Sequence, residues 1–208
     1  MCGRFTLRAR LTDLAAEFDL KWALEQDWTP NSDIRPTTQI PIIRQINGER
    51  ELAMVRWGLV PPWEPEPKTK YSTFNAKAET VSEKASYKKP FQKQRCLIVA
   101  DGYDEWKVVG GTEKKPIKQR YHIHCPDDRF FAFAGLWEHW EREENAVDSA
   151  TIIITSGNAE LSHIHERMPV ILHKQDFPLW LDPEFEGKER LLSLLQPYEA
   201  GELVATAI

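Results

Sequence analysis

Cysteine is scarce in this sequence, uninterrupted apolar runs are short, and acidic residues outnumber basic ones. The three cysteines, Cys2, Cys96 and Cys125, are odd in number and far apart. They provide no disulfide framework and fit a reducing compartment. No apolar run approaches the ~18 residues that a membrane-crossing helix needs. The first residues lack the basic-then-apolar pattern of a secretion signal. A soluble cytoplasmic protein is the expectation. No internal repeat and no long Gly/Ser linker divide the chain, so residues 1–208 read as one domain. Core material is abundant: 8 Trp, 9 Phe and 5 Tyr within a hydrophobic fraction of 41%.

A net charge of −5 argues against a broad polyanion-binding surface. Its distribution argues for a local one. Between Lys68 and Arg120 there are thirteen Lys/Arg and six acids, a local +7 that leaves −12 on the rest of the chain. That asymmetry is the footprint of a nucleic-acid contact on an otherwise acidic protein. The competing reading is a set of scattered, solvated lysines.

Leu11, Leu14, Ala15 and Phe18 recur at helical spacing and predict a short amphipathic helix. Trp22 to Asp33 reads as irregular, with Pro30 in a loop. The β-rich runs Ile40–Ile46 and Glu51–Trp57 flank Asn47-Gly48, a strong hairpin signal. The proline-dense loop Gly58–Pro67 holds Trp63 either as a stacking surface or tucked under its own loop. A helical stretch to Tyr87 follows, then a buried-type strand Cys96–Ala100 turned by Asp101-Gly102. Gly110-Gly111 marks a second turn, and Ile117–His124, Phe130–Leu136 and Ala150–Thr155 read as strands. Asp182-Pro183 has the look of an N-cap opening a helix through Leu194. The tail beyond about 197 is expected to be loosely attached. Closely spaced strands outnumber helices. This predicts an α+β domain, mainly antiparallel β, with a barrel-like or sandwich sheet core and short flanking helices.

The chemistry concentrates in Met1-Cys2-Gly3-Arg4-Phe5. If Met1 is removed, Cys2 carries an α-amine near pKa ~7.8 beside a thiol near ~8.5. An aldehyde condenses with such an amine to an imine, and addition of the sulfur closes a five-membered thiazolidine ring. Both steps need acid–base assistance. Glu105 lies just past a buried-type strand beside two aromatics, where desolvation raises a carboxyl pKa. His165, in His163-Ile164-His165, titrates near neutrality. Asn75 supplies an amide, and Arg4, Lys77 and Arg167 supply positive charge. Each has an ordinary reading when taken singly: a frayed terminus, a glutamate paired with Lys107, a structural histidine.

Six blocks taken together are more specific. They are Met1–Phe5, Arg35-Pro36-Thr37-Thr38-Gln39, Arg56–Pro61, Asn75–Thr80, Asp101–Trp106 and His163–Pro169. In this order they resemble the SRAP-domain family, the SOS-response-associated peptidases or abasic-site processing proteins, from residue 2 to about residue 183. The resemblance implies the SRAP fold and a covalent DNA-damage response. An abasic site in single-stranded DNA, opened to its aldehyde, is trapped on the N-terminal cysteine as a thiazolidine. By position, Cys2 is then the nucleophile through amine and sulfur, and Asn75 orients the amine or the sugar. Glu105 is the acid/base that promotes ring opening and slow reversal, and His165 holds or protonates the sugar oxygen. Arg4, Lys77 and Arg167 match positions that contact phosphates, and Trp57 and Trp63 lie in substrate-lining loops. Also implied are autoproteolytic removal of Met1 and a monomer that needs no cofactor or metal. Replication-fork or repair proteins are the further partners implied, with the protein nucleoid-associated at damaged DNA.

Two departures from the family pattern bear on DNA contact. Lys77 stands where arginine is common, which keeps the charge but loses bidentate phosphate geometry. Ser32-Asp33-Ile34-Arg35-Pro36 replaces the usual Tyr-Asn-Val-Ala-Pro, exchanging a neutral amide for an acid at Asp33. Three alternatives stand beside the main reading. They are a cysteine peptidase using Cys2, His165 and Asn75, a non-covalent single-strand reader, and a metal site built from His122, His124 and Cys125 with Cys96 or His163.

Overall fold

The computed structural model describes residues 2–18, 20 and 28–208. Met1 and the 22–27 part of the expected irregular stretch lie outside the described residues. The chain opens with β1 (Phe5–Leu7), α1 (Leu11–Phe18), β2 (Asn31–Ile34), β3 (Gln39–Ile46) and β4 (Glu49–Trp57). There follow β5 (Asn75–Lys77), α2 (Ala85–Lys93), β6 (Arg95–Ala100), β7 (Gly102–Thr112) and β8 (Lys115–His124). Next are β9 (Phe131–Arg142), β10 (Asn145–Ser156), β11 (Arg167–Pro169) and β12 (Ile171–Leu172). A 3-10 turn, Lys174–Asp176, leads into α3 (Phe177–Leu181), then α4 (Lys188–Ser193) and β13 (Val204–Ala207).

The core is a closed barrel. β3 pairs with β4 and β6, β6 with β9, β9 with β10, and β10 returns to β4. Every join is antiparallel except β4–β10. Closure leaves the ring without an edge. β6 is buried at every position, which is why its sequence is a continuous apolar run rather than an alternating one. The β3–β4 hairpin turns at Asn47 and Gly48 with φ of 51° and 81°, the left-handed pair that a two-residue turn of this hand demands.

Beyond Ala150, β10 exchanges β4 for β5. Ile152, Ile153 and Ile154 pair in parallel with Asn75, Ala76 and Lys77. On its other edge Ser156 pairs with Arg167 of β11. A second sheet, ordered β13-β8-β7-β1-β2, packs against the barrel. The contact is aromatic: Phe5 and Tyr103 meet Phe133 with centroids 5.9 and 6.1 Å away, both edge-on.

Several local expectations are corrected. Asn31–Ile34 forms β2 because Ile34 pairs with Phe5 of β1. The helix expected to end at Tyr87 begins at Ala85. Gly110 and Gly111 lie inside β7 beside a bulge, and the turn follows Thr112. A Cβ on Gly111, at φ 86°, would come 2.3 Å from the Lys115 carbonyl, so glycine is required there. Asp182 closes α3 rather than opening a helix, its carboxylate accepting from Glu184 N–H at 2.9 Å. The tail is not loose. Tyr198 and Leu203 are buried, and Val204–Ala207 covers the outer edge of β8.

Candidate active site

Cys2 is no frayed terminus. Its side chain is fully buried, and the thiol donates to the Arg4 carbonyl at 3.9 Å. Burial pushes the thiol pKa well up, and the carboxylate of Glu105 adds to the rise. The sulfur is therefore a thiol at neutral pH, less ionised than a free cysteine. Fixing it are β1, whose Phe5 and Thr6 pair with Tyr103 and Gly102, and the hydrogen bond from Asp104 N–H to the Arg4 carbonyl at 2.9 Å.

Glu105 follows on β7 and is 3% exposed. Desolvation raises its pKa to about 7, and nearby Asp104 pushes the same way. Across from it, His165 Nε2 lies 3.9 Å from Glu105 Oε2. His165 Nδ1 lies within hydrogen-bond reach of both the Arg167 backbone N–H, at 3.0 Å, and the Arg167 carbonyl, at 3.2 Å, so this residue anchors the ring with Nε2 facing Glu105. Burial also lowers the histidine pKa, favouring the neutral ring. His163 does not share this face. The segment is a turn closed by His165 N–H on the Leu161 carbonyl at 3.1 Å, and His163 is exposed with Nδ1 2.6 Å from the Glu160 carbonyl.

Asn75 opens β5, and its Nδ2 donates to the Phe74 carbonyl at 3.0 Å. Its buried Oδ1 has no hydrogen-bond partner among the described residues, an acceptor left for an incoming donor. Trp57 is corrected from a DNA-lining residue to a core residue. It is fully buried, donates from Nε1 to the Phe74 carbonyl at 2.9 Å, and meets Phe5 and Phe74 edge-on. One indole thus braces both the Cys2 strand and the Asn75 strand. Trp63 is 53% exposed, on a loop fastened by Trp140 Nε1 and Arg142 Nε to the Glu64 carbonyl, each at 2.9 Å.

The cations differ in availability. Lys77 is exposed. Arg167, across β10 from it, is ion-paired with Glu79. Arg4 Nε is 3.0 Å from Asp33 Oδ1, and its guanidinium lies 5.1 Å from the Trp106 ring centroid. The basic segment of the sequence is not one face. Arg95 is 2% exposed and donates to the Trp180 carbonyl at 2.7 Å and the Phe91 carbonyl at 2.8 Å, tying α2 to α3.

Two contributors were not singled out by sequence. The buried Tyr103 hydroxyl has no hydrogen-bond partner among the described residues, and its pKa is pushed well up by burial and then by Cys2 and Glu105. Asp104 is buried; burial would raise it, but hydrogen bonds from His122 and Arg120 hold it low. It therefore stays ionised beside Glu105. The alternation Tyr103-Asp104-Glu105-Trp106 was the available signal, since successive residues of a strand take opposite faces. His122 Nδ1 meets Asp104 Oδ1 at 2.9 Å, and no group of three or more potential metal ligands is found among the described residues.

The family model for SOS response associated peptidase (SRAP) matches residues 1–208. The chain is 40% identical over 207 residues to the abasic site processing protein YoqW of Bacillus subtilis strain 168, covering 99% of this chain and 91% of that protein. It is 30% identical over 243 residues to the abasic site processing protein HMCES of Xenopus tropicalis, covering 96% of this chain and 71% of that one. A crystal structure of a Bacteroides thetaiotaomicron protein superposes with a TM-score of 0.84 at 26% identity, covering 100% of this chain and 92% of that chain.

Proposed function

The chain belongs to the SRAP family, and from that premise we propose that it captures abasic sites in single-stranded DNA as a covalent adduct on Cys2. Met1 is removed first, by the protein's own Cys2, Glu105 and His165. The observation that carries the reading is the pairing of Glu105, at a pKa of about 7, with His165 at 3.9 Å beside a buried cysteine.

The aldehyde carbon of the ring-opened sugar is attacked by the freed α-amine. Loss of water gives an imine, with protonated Glu105 donating to the departing hydroxyl. The thiol then adds across the C=N bond, its sulfur bonding to carbon and its proton passing to nitrogen. Because burial disfavours the thiolate, the amine reacts first, and Glu105 in its carboxylate form relays the thiol proton. A group near pKa 7 serves as acid and then as base at neutral pH. His165 Nε2–H supports the sugar oxygen, and Asn75 Oδ1 accepts from the amine.

The test is a denaturing gel of Met1-free protein after incubation with single-stranded DNA carrying one abasic site, beside an undamaged strand. A shifted band with abasic DNA alone is expected. Its absence, with Met1 removal confirmed by intact mass, overturns the reading.

A further inference from the structure

The β7–β8 hairpin leaves the body of the protein just past the site. Gly102 to Glu105 are buried, Trp106 and Lys107 are half-buried, and residues 108–118 are all exposed. From Glu105 the strand runs on to Thr112, a reach of roughly 23 Å at ~3.3 Å per residue. This arm carries Lys107, Lys114, Lys115 and Lys118 against one acid, Glu113. None of the four lysines forms an ion pair with a described residue, whereas Lys68 and Lys93 elsewhere are paired with glutamates. The arm also bares Val108, Val109 and Ile117, exposed 59%, 55% and 61%. An isolated two-stranded ribbon with apolar side chains in water is marginal by itself and gains from a partner that covers it.

The position of the arm is as telling as its charge. Directly opposed residues of an antiparallel ladder share a face. Lys107 opposite Gln119 therefore stands on the same face as Glu105 opposite Tyr121, one pleat further out. A cationic, partly apolar ribbon thus starts at the site and leads away from it.

Building on the proposed abasic-site function, we propose that the β7–β8 arm tracks the single strand flanking the nucleotide held at Cys2. Lys107, Lys114, Lys115 and Lys118 contact its phosphates, and Val108, Val109 and Ile117 lie against its sugars and bases. Charge decides this occupant over a protein strand: four unpaired lysines suit a continuous polyanion.

The experiment compares unaltered protein with K114Q/K115Q/K118Q and with V108S/V109S/I117S. Binding of an undamaged 30-nucleotide single strand is followed by fluorescence anisotropy across a salt series. Crosslinking of a five-nucleotide strand with a central abasic site is followed by denaturing gel. Removing three lysines should weaken 30-mer binding roughly tenfold at low salt and make the log–log salt dependence shallower by about 2, since each phosphate contact on a single strand contributes ~0.7. The serine variant should weaken binding with its slope unchanged. Crosslinking of the short strand, which is too short to run along the arm to its tip, should be nearly equal in all three proteins. An unaltered slope and affinity in the lysine variant overturns the proposal, as does unaltered affinity in the serine variant for its apolar part. Failure of the unaltered protein to crosslink the short strand overturns the site reading instead, and the anisotropy result stands apart from it.

Discussion

Glu105 Oε2 stands 3.9 Å from His165 Nε2, joining β7 of the outer sheet to the turn that precedes β11, the strand paired with the end of β10. The two residues are 60 apart in sequence, so neither alone announces the pair. Glu105 titrates near 7 because burial opposes its charge, with ionised Asp104 adding to the effect. Crosslinking rates should therefore change slope near pH 7. Glu105→Gln should slow capture ~10²–10⁴-fold and flatten that inflection. A variant with the unaltered rate, or one that keeps the inflection, removes Glu105 from the chemistry.

The same shift has a cost in stability. Between about pH 4.5 and 7 the unfolded Glu105 is ionised while the folded one holds its proton, so its contribution is full below 4.5 and is lost as pH rises through 7. Glu105→Gln does not titrate. Relative to unaltered protein it should gain stability from pH 4 to pH 8 by at most about 3 kcal/mol. Urea unfolding at the two pH values checks this, and a constant difference rejects the buried, raised carboxyl.

Cys2 separates the two bonds of the adduct. Being fully buried, it is best replaced by serine, which nearly keeps the volume, whereas alanine leaves a small cavity. Prepared with Met1 removed by an added aminopeptidase, Cys2→Ser retains the amine and loses the sulfur. It should yield no heat-stable crosslink, yet give one after borohydride reduction of the imine. A stable band without reductant would show that sulfur is dispensable.

Much of this architecture was legible in sequence. The Asn47-Gly48 turn, the buried run of β6 and the amphipathic α1 each follow from a local rule, and strand density indicated a barrel-like or sandwich core without choosing between them. The tail strand was not legible, because Val204–Ala207 is held only by its partner β8. Trp57 was placed on the DNA because its block matched a family pattern; its burial depends on Phe5 and Phe74, which sequence does not bring together. The burial of Cys2 was likewise invisible, and it reverses the expectation of a partly ionised thiol. Lys68–Arg120 looked like one basic patch, but Arg95 is a core strut and the lysines of the β7–β8 arm stand apart.

Asp33 offers a test of how this chain differs from its family. Its carboxylate lies 3.0 Å from Arg4 Nε and 2.6 Å from Arg35 Nη2. The hydrogen bond from Arg35, then Arg4, holds its pKa down, so it is ionised at neutral pH. Any phosphate approaching Arg4 must compete with that charge. The pair is partly exposed, with side-chain accessibilities of 20% and 43%, so its own worth to the fold is about 0–1 kcal/mol. Asp33→Asn should leave stability within that range and tighten single-strand binding about 3–10-fold at low salt. The gain should fade as screening shortens to ~8 Å at physiological ionic strength. Weaker binding in this variant would mean that Asp33 holds Arg4 in its working position, stacked on Trp106, rather than competing with the DNA.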